Sequence, residues 1–405
     1  MIILVINCGS SSIKYQLLDM KNDDVYDVLA KGLVEKIGLE TGCLQHTATG
    51  KDKYVIDLPI PDHKVGMKLV LDALTDADHG VLKSLDDIEA VGHRIVHGGE
   101  YFSSSALVNE DVMKKIEICC DFAPLHNPAH LLGIRAVQAV LPSVPQVVTF
   151  DTAFHQSIPP YAFMYGLPYE DYSKYRVRKY GAHGTSHQFV AEKGAKFAGL
   201  DVNNSRIITC HLGNGSSITA VLNGKSIDTS MGFTPLDGVV MGTRCGSIDP
   251  AIVTYIMEKK GYTVAQMNDY MNKKCGFAGL SGVGSDSRDV ERAMSEGNER
   301  AKLTYDVLCY QIKKYVGSYA AAMGGLDAVV FTAGIGEHAP YIREHSLSGL
   351  EFLGIELDDE KNTFGHSSTP VEISKDSSRV KVYMIPTNEE LVIARDTEEI
   401  VKSIK

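Results

Sequence analysis

The sequence predicts an α/β fold in which one piece of architecture occurs twice. Three observations carry this. Short β-rich runs alternate with stretches of helical spacing along the whole chain. Three of those runs end in glycine-rich turns, the place where α/β folds bind ligands. And the pattern strand, Gly/Ser turn, strand appears at residues 2–18 and again at 206–228, an internal repeat at the level of architecture.

The elements follow in order. Met1 to Ile6 is an apolar, β-rich run that reads as a buried strand. Beyond the turn Asn7-Cys8-Gly9-Ser10-Ser11-Ser12, Ile13, Tyr15 and Leu17 alternate with Lys14, Gln16 and Leu18, which predicts a second strand and a hairpin. Residues 64–78 and 109–120 carry helical spacing, and Val144 to Phe150 reads as a buried strand ending at Asp151. The second half opens with Arg206 to Cys210, the turn His211-Leu212-Gly213-Asn214-Gly215-Ser216-Ser217, and alternating Ile218, Ala220 and Leu222. Asn223-Gly224 then predicts a type I′ hairpin. A long helix is expected over 300–323. A strand over 327–331 runs into Thr332-Ala333-Gly334-Ile335-Gly336-Glu337, and a last strand over 381–385 leads to Pro386-Thr387-Asn388-Glu389-Glu390 and a terminal helix.

Bulk properties bound the function. At 405 residues the chain is long enough for two domains, each with its own core. Hydrophobic residues make up 44% and charged residues 22%, a globular balance. The net charge of -11, with no Lys/Arg run, argues against nucleic acid as a partner, and it requires any anionic substrate to find a local positive pocket. The eight cysteines form no C-x-x-C pair and read as free thiols of a reducing compartment. No apolar stretch reaches membrane-spanning length, and the first residues lack a basic signal region, so a cytoplasmic location is expected and no membrane partner.

Glycine at a strand end lets backbone N–H groups approach phosphate oxygens, and three such turns together point to phosphate chemistry. A Gly/Ser turn that merely reverses the chain is the plain alternative for any one of them. The commonest nucleotide loop is missing: Gly224-Lys225-Ser226 resembles its tail, but position 219 is threonine and the pair lies in a hairpin turn. Gly334 to Ala339 fits G-x-G-x-x-A after a strand, yet it comes late in the chain, which argues against a dinucleotide enzyme; Pro340 could still open a helix. His93/His97, His126/His130 and His183/His187 are each spaced four apart, as in helical zinc sites. None carries the accompanying glutamate, and Gly98-Gly99, Pro128 and Gly184 argue against long regular helices there.

The motifs resemble the acetate kinase family of short-chain carboxylate kinases. The strings are NCGSSSIKY (7–15), GHRIVHGGE (92–100), APLHNP (123–128), FDTAFH (150–155), YGAHGTSH (180–187), CHLGNGSS (210–217), MGFTPLDGVVMGTR (231–244), GVGSDSRD (282–289), FTAGIGE (331–337) and PTNEEL (386–391), nearly end to end and in the family's order. The resemblance implies two duplicated actin- and hexokinase-like (ribonuclease H-like) domains around a central cleft. The first would span 1–150 plus 387–405, and the second 151–386, with most of the nucleotide site. It also implies a homodimer. The activity implied is reversible, direct in-line phosphoryl transfer between ATP and acetate, giving ADP and acetyl phosphate, with Mg2+ (or Mn2+) and ATP/ADP as cofactor and substrates.

Site residues carry over position by position. Asn7 and Glu389 match the magnesium positions, an oxygen donor set that suits a hard cation keeping several waters; Glu389 as a plain helix N-terminal charge is the alternative, and Glu390 its neighbour. Ser10, Ser12 and Lys14 match the phosphate hairpin. His211, Leu212, Gly213, Asn214 and Gly215, then Asp286, Ser287 and Arg288, then Gly334, Ile335, Gly336, Glu337 and His338 match the ATP-binding segments. Arg94 and Arg244 match two active-site arginines, whose fixed forks suit carboxylate and acyl phosphate. His183 matches a transition-state stabiliser and His126 a weaker partner. Asp151 matches an essential carboxylate that positions acetate or magnesium; the acid substrate is already ionised and needs no base. Val96, Leu125, Ala182 and Pro235 match the acyl pocket.

Three departures stand out. Ala182 stands where the family has Phe, so a wider pocket taking propionate or butyrate is the alternative, unless a neighbour refills the gap. Cys245 and Ser247 replace Ser and Asp beside Arg244, and His338 replaces Asn. Rivals outside the class are a metal-dependent hydrolase and a non-catalytic ATP-binding protein. Alanine at Arg94 or Arg244 is expected to remove activity from a folded chain.

Overall fold

The computed structural model describes residues 1–22, 25–124, 126–363 and 369–404. The chain divides into two compact units, Met1–Ala153 with Asn388–Lys405, and Phe154–Thr387.

The first unit is built on β1 (Ile2–Gly9), β2 (Ser12–Asn22), β3 (Val25–Glu35), β4 (Gly42–Ala48), β5 (Tyr54–Leu58), β6 (Ala90–Ile95), β7 (Ala106–Leu107) and β8 (Gln146–Phe150). They form one sheet in the order β5-β4-β3-β2-β1-β6-β8-β7. The hairpin predicted from the alternation at 13–18 is present: β1 and β2 pair antiparallel, with Asn7 opposite Lys14 and Gly9 opposite Ser12. β6 and β8 continue the sheet parallel to β1. Helices α1 (His63–Thr75), α2 (Glu110–Ile118) and α3 (Asn127–Val140) complete the chain's first pass. Ile13, Tyr15 and Leu17 of β2 share a core with Met67, Val70 and Leu74 of α1 and Val137 of α3. The C-terminal helix Glu389–Ser403 lies against β6, where a Cβ at Gly92 would stand 2.6 Å from Ile393 and Thr397 side-chain atoms, so only glycine admits the helix this close.

The second unit repeats the plan. Its strands are β9 (Arg206–Leu212), β10 (Ser216–Leu222), β11 (Lys225–Thr229), β12 (Ala328–Thr332), β13 (Val371–Glu372) and β14 (Lys381–Met384), ordered β11-β10-β9-β12-β14-β13. Asn223 and Gly224 take φ of 53° and 75°, both positive as a type I′ turn demands. β9, β10 and β11 are antiparallel; β9, β12 and β14 are parallel. This reproduces β3-β2-β1-β6-β8 strand for strand.

The second unit's helices are α4 (Pro160–Phe163), α5 (Tyr169–Tyr175), α6 (Gly184–Phe197), α7 (Pro250–Lys260), α8 (Val264–Lys273), α9 (Gly276–Ser281), α10 (Ser287–Ser295), α11 (Glu299–Ala322), α12 (Ala333–His338) and α13 (Pro340–Leu347). The long helix expected over 300–323 is α11. Asn298 caps it, and Ala301, Tyr305, Leu308, Ile312 and Val316 at helical spacing turn its buried face to the sheet.

One expectation is corrected. Pro128 and Gly184 do not prevent regular helices; they sit in the first turns of α3 and α6, each of 14 residues. Proline costs nothing where the helix has no partner for its N–H, and glycine at the first position follows a His183 already in the left-handed region at φ 56°. Among the described residues no group of three or more His, Cys, Asp or Glu could hold a metal ion.

Candidate active site

In the first unit, adjacent strand ends bring the acid and the base together. Arg94 lies near the end of β6 and Asp151 directly follows β8, with Ile95 opposite Phe150 in register. Arg94 donates from Nε to Asp151 Oδ1 at 3.0 Å and from Nη2 to Oδ2 at 2.7 Å, a bidentate fork on a carboxylate that is 1% exposed. Glu389 Oε2 stands 3.7 Å from Arg94 Nε. Burial works against the Arg94 charge, but Asp151, Glu389 and Glu390 outweigh it and hold the guanidinium pKa above its ordinary value.

Asn388 starts the C-terminal helix by accepting from Leu391 N at 3.0 Å, which places Glu389 and Glu390 in its first turn. Asn7, Lys14, Arg94, Glu389 and Glu390 line one small cavity of about 20 Å³. Lys14 Nζ is 2.6 Å from Glu390 Oε1. Burial raises the Glu390 pKa, yet the Lys14 ammonium outweighs it and the carboxyl stays below the usual glutamate value. The amide of Asn7 and the carboxylate of Glu389 are hard oxygen donors lining the same cavity. That set fits Mg2+, which takes one or two carboxylates and completes its shell with water and substrate phosphate.

The rest of the predicted set in this unit is less gathered. Ser10 is exposed at the tip of the β1–β2 turn and Ser12 opens β2 half-buried. The turn is anchored by a residue the sequence did not single out: His63, first in α1, donates from Nε2 to Gly9 O at 2.8 Å. Val96 is buried, His126 is exposed just before α3, and Leu125 lies outside the described residues.

In the second unit the counterpart turn is closed on itself. Gly213 N donates to Gly215 O at 3.1 Å and to Ser216 Oγ at 3.2 Å, and Ser216 Oγ donates to Gly213 O at 3.0 Å. Beside it stand His183 and Arg244. A Cβ on Gly215 would lie 3.4 Å from Arg244 Nη1 and 3.5 Å from His183 Nε2, so the glycine lies against both groups. His183 stacks on His211 with centroids 4.1 Å apart, and its Nδ1 is 2.8 Å from Ser217 Oγ.

Arg244 donates from Nη1 to Pro235 O at 2.9 Å and contacts Met241 Sδ at 3.6 Å; among the described residues no carboxylate pairs with it. Burial lowers its pKa, with no acid to offset the loss. Ala182 is buried against Met231 and Met241. Ser247, where the sequence departs, donates to Asp237 Oδ1 at 2.5 Å and accepts from Gly238 N at 3.1 Å, tying together the two ends of the segment that carries Arg244.

A groove of about 800 Å³ collects three sequence segments: Gly213 and Asn214, Asp286 to Arg288, and Gly334, Ile335 and His338. Asp286 caps α10 and forks with Arg288, Nε to Oδ1 at 3.0 Å and Nη2 to Oδ2 at 2.6 Å; these bonds hold its pKa down at about 2. Glu291, one turn further along α10, also lines the groove and was not anticipated; burial raises its pKa. Not every predicted residue faces the groove. Leu212 is 0% exposed in the core, and Gly336 O and Glu337 O accept from the buried Arg343 at 2.8 and 3.0 Å.

A model of the acetokinase family matches residues 2–395. The chain belongs to the acetokinase family. It is 58% identical over 395 residues to an acetate kinase of Clostridium botulinum (strain Alaska E43 / Type E3), covering 98% of each chain. Among solved structures it is similar to the Porphyromonas gingivalis acetate kinase, with TM-score 0.94 and 47% identity over 99% of both chains. It is also similar to a propionate kinase from Francisella tularensis subsp. tularensis SCHU S4, with TM-score 0.90 and 45% identity over 98% of this chain and 99% of that one. The family resemblance read from the ordered motifs holds, and with it the α/β class built on a duplicated plan: the order β3-β2-β1-β6-β8 recurs as β11-β10-β9-β12-β14.

Proposed function

We propose that the chain is a reversible, magnesium-dependent acetate kinase, transferring the γ-phosphoryl group of ATP directly to acetate. The observation that carries the reading is Arg244: a half-buried guanidinium with no carboxylate partner among the described residues, beside the Gly215 turn and the edge of His183. An always-charged fork held this way favours an anion with several oxygens.

The acetate carboxylate is ionised at neutral pH and attacks phosphorus without a general base. Arg94, its plane fixed by the Asp151 fork, binds the carboxylate end of the acyl substrate. Arg244 and His183 meet charge on the transferring phosphoryl oxygens. The backbone of Gly213 to Gly215 and the groove lined by Asp286, Arg288, Gly334 and His338 bind the nucleotide. Asn7 and Glu389 would hold Mg2+, with Lys14 and the Ser10–Ser12 turn beside the phosphates; when bound, the ion neutralises phosphate charge. Ala182 against Met231 and Met241 favours acetate over longer acids, because flexible thioethers occupy space that a missing phenyl ring would leave.

Hydroxylamine trapping of acyl phosphate, with Mg·ATP and acetate, propionate or butyrate in turn, tests this. Product should form with acetate, fall steeply with chain length and vanish on chelation of magnesium. Absence of product with every short acid would overturn the reading.

The same reading makes the protein a cytoplasmic homodimer. No helix among the described residues is long and apolar enough to cross a membrane. α7 buries no side chain although it carries Ile252 (43% exposed) and Tyr255 (58%), and a second copy of this chain is the occupant that would cover them. Sedimentation should give a dimer that Ile252→Glu splits; a native monomer would rule it out.

A further inference from the structure

Behind His183 lies a chain of buried polar groups that the phosphoryl chemistry does not itself use. Ser217 Oγ is 2.8 Å from His183 Nδ1 and 2.7 Å from His187 Nε2, and His187 Nδ1 is 2.7 Å from Thr209 Oγ1. Ser217, His187 and Thr209 are each 0% exposed. Every link is short enough to be a full hydrogen bond, so the protons along it must be shared out consistently.

Two directions run head to tail along a neutral chain; if instead both rings donate to Ser217, its own buried hydroxyl proton is stranded. In one, Ser217 donates to His187 Nε2 and His187 donates from Nδ1 to Thr209. The Thr209 hydroxyl proton then has no acceptor among the described residues, in a position closed to solvent. In the other, Thr209 donates to His187 Nδ1, His187 donates from Nε2 to Ser217, and Ser217 donates to His183 Nδ1. Every donor is then satisfied, and the proton of His183 is left on Nε2, the nitrogen that faces the Gly215 turn beside Arg244. A buried donor without an acceptor is the costly arrangement, so the second direction wins. It also works against a doubly protonated His183: an Nδ1–H there would have to donate to Ser217, leaving either the Thr209 or the Ser217 hydroxyl proton without an acceptor.

We propose that Thr209, His187 and Ser217 form a one-directional relay that holds His183 neutral with its proton on Nε2, a fixed donor to the transferring phosphoryl group. Thr209, His187 and Ser217 are thus positioning residues. The claim rests on the reading of His183 given above. The titratable rings packed around the relay agree with it. Burial holds His187 well below the usual histidine value, and keeps the neighbouring His155 down at about 4, so neither supplies a charge that would reverse the direction. His155 is tied separately, to Ser226 Oγ and Ala182 O, and His211 to Ser186 Oγ.

Nitrogen NMR of isotope-labelled histidine in the full chain at neutral pH reads the proton directly. His183 should show Nε2 protonated and Nδ1 bare. A proton on Nδ1, or on both nitrogens, would overturn the relay whatever the activity. Thr209→Val keeps the side-chain shape and removes the donor that sets the direction. It should let His183 populate both tautomers and lower kcat about tenfold with KM little changed, and Thr209→Ser should restore both readouts. An unchanged His183 spectrum in Thr209→Val would also overturn the proposal. A shifted spectrum with unchanged kcat would leave the relay standing and remove His183 from the transfer step.

Discussion

Arg94 and Arg244 occupy the two halves of a duplicated fold, and they are held in opposite ways. Arg94 donates two bonds to a buried Asp151 and has Glu389 within 3.7 Å; acids hold its pKa above the ordinary value. Arg244 donates to a carbonyl and touches a thioether, and burial alone acts on its pKa. The strand order around them is the same. Duplication thus preserves the backbone frame and leaves the charge balance free to diverge: one arginine is locked in a fixed plane by acids, the other pairs with no carboxylate among the described residues.

The largest effects should come from breaking that contrast. Arg244→Ala removes a cation that pairs with no acid among the described residues, so the fold should be little affected while kcat falls by about 100-fold or more. Arg94→Ala takes the bidentate partner from a carboxylate 1% exposed to solvent, so it should lose activity and also about 3 kcal/mol of stability. The expectation that both alanine variants lose activity yet stay folded is therefore sharpened. Denaturant melts of the two variants beside their kinetics measure the difference, and equal melting curves would contradict it. Arg94→Ala combined with Asp151→Asn should recover stability without activity, because the buried charge is gone.

Much of this was legible in the sequence. Alternation at 13–18 and 218–222 gave both hairpins, and the Asn-Gly pair gave the turn between β10 and β11. The repeat of strand, turn and strand gave the duplication. The groove was legible as three segments because each ends or follows a regular element at a glycine or a helix cap. What could not be read was long-range. His63 reaches Gly9 across 54 positions, and Ser217 meets His183 and His187 across 34 and 30. Serine, threonine and histidine on buried strands and helices carry no pattern of their own until the fold brings them together. The helices opening at Pro128 and Gly184 were missed for a different reason: both residues break helices only in their interiors.

The two Gly/Ser turns give the finest version of the comparison, and the smallest effects. Neither Gly9 nor Gly215 has a positive φ, so alanine is allowed at both on backbone grounds. A Cβ at Gly9 would meet Ser12 Oγ at 2.8 Å, the end of a side chain that can rotate away. A Cβ at Gly215 would sit 3.4 Å from Arg244 Nη1 and 3.5 Å from His183 Nε2, in contact with the two groups assigned to the phosphoryl oxygens. Gly215→Ala should therefore leave stability unchanged and reduce kcat/KM by about 10- to 100-fold, since misplacement of a reacting group by about 1 Å is worth that much. Gly9→Ala should stay within about threefold of the native rate, a shift of well under 1 kcal/mol in the barrier. If instead both alanines cost the same, the turns would be equivalent in function as well as in fold, and the transfer chemistry could not be assigned to the second unit's turn.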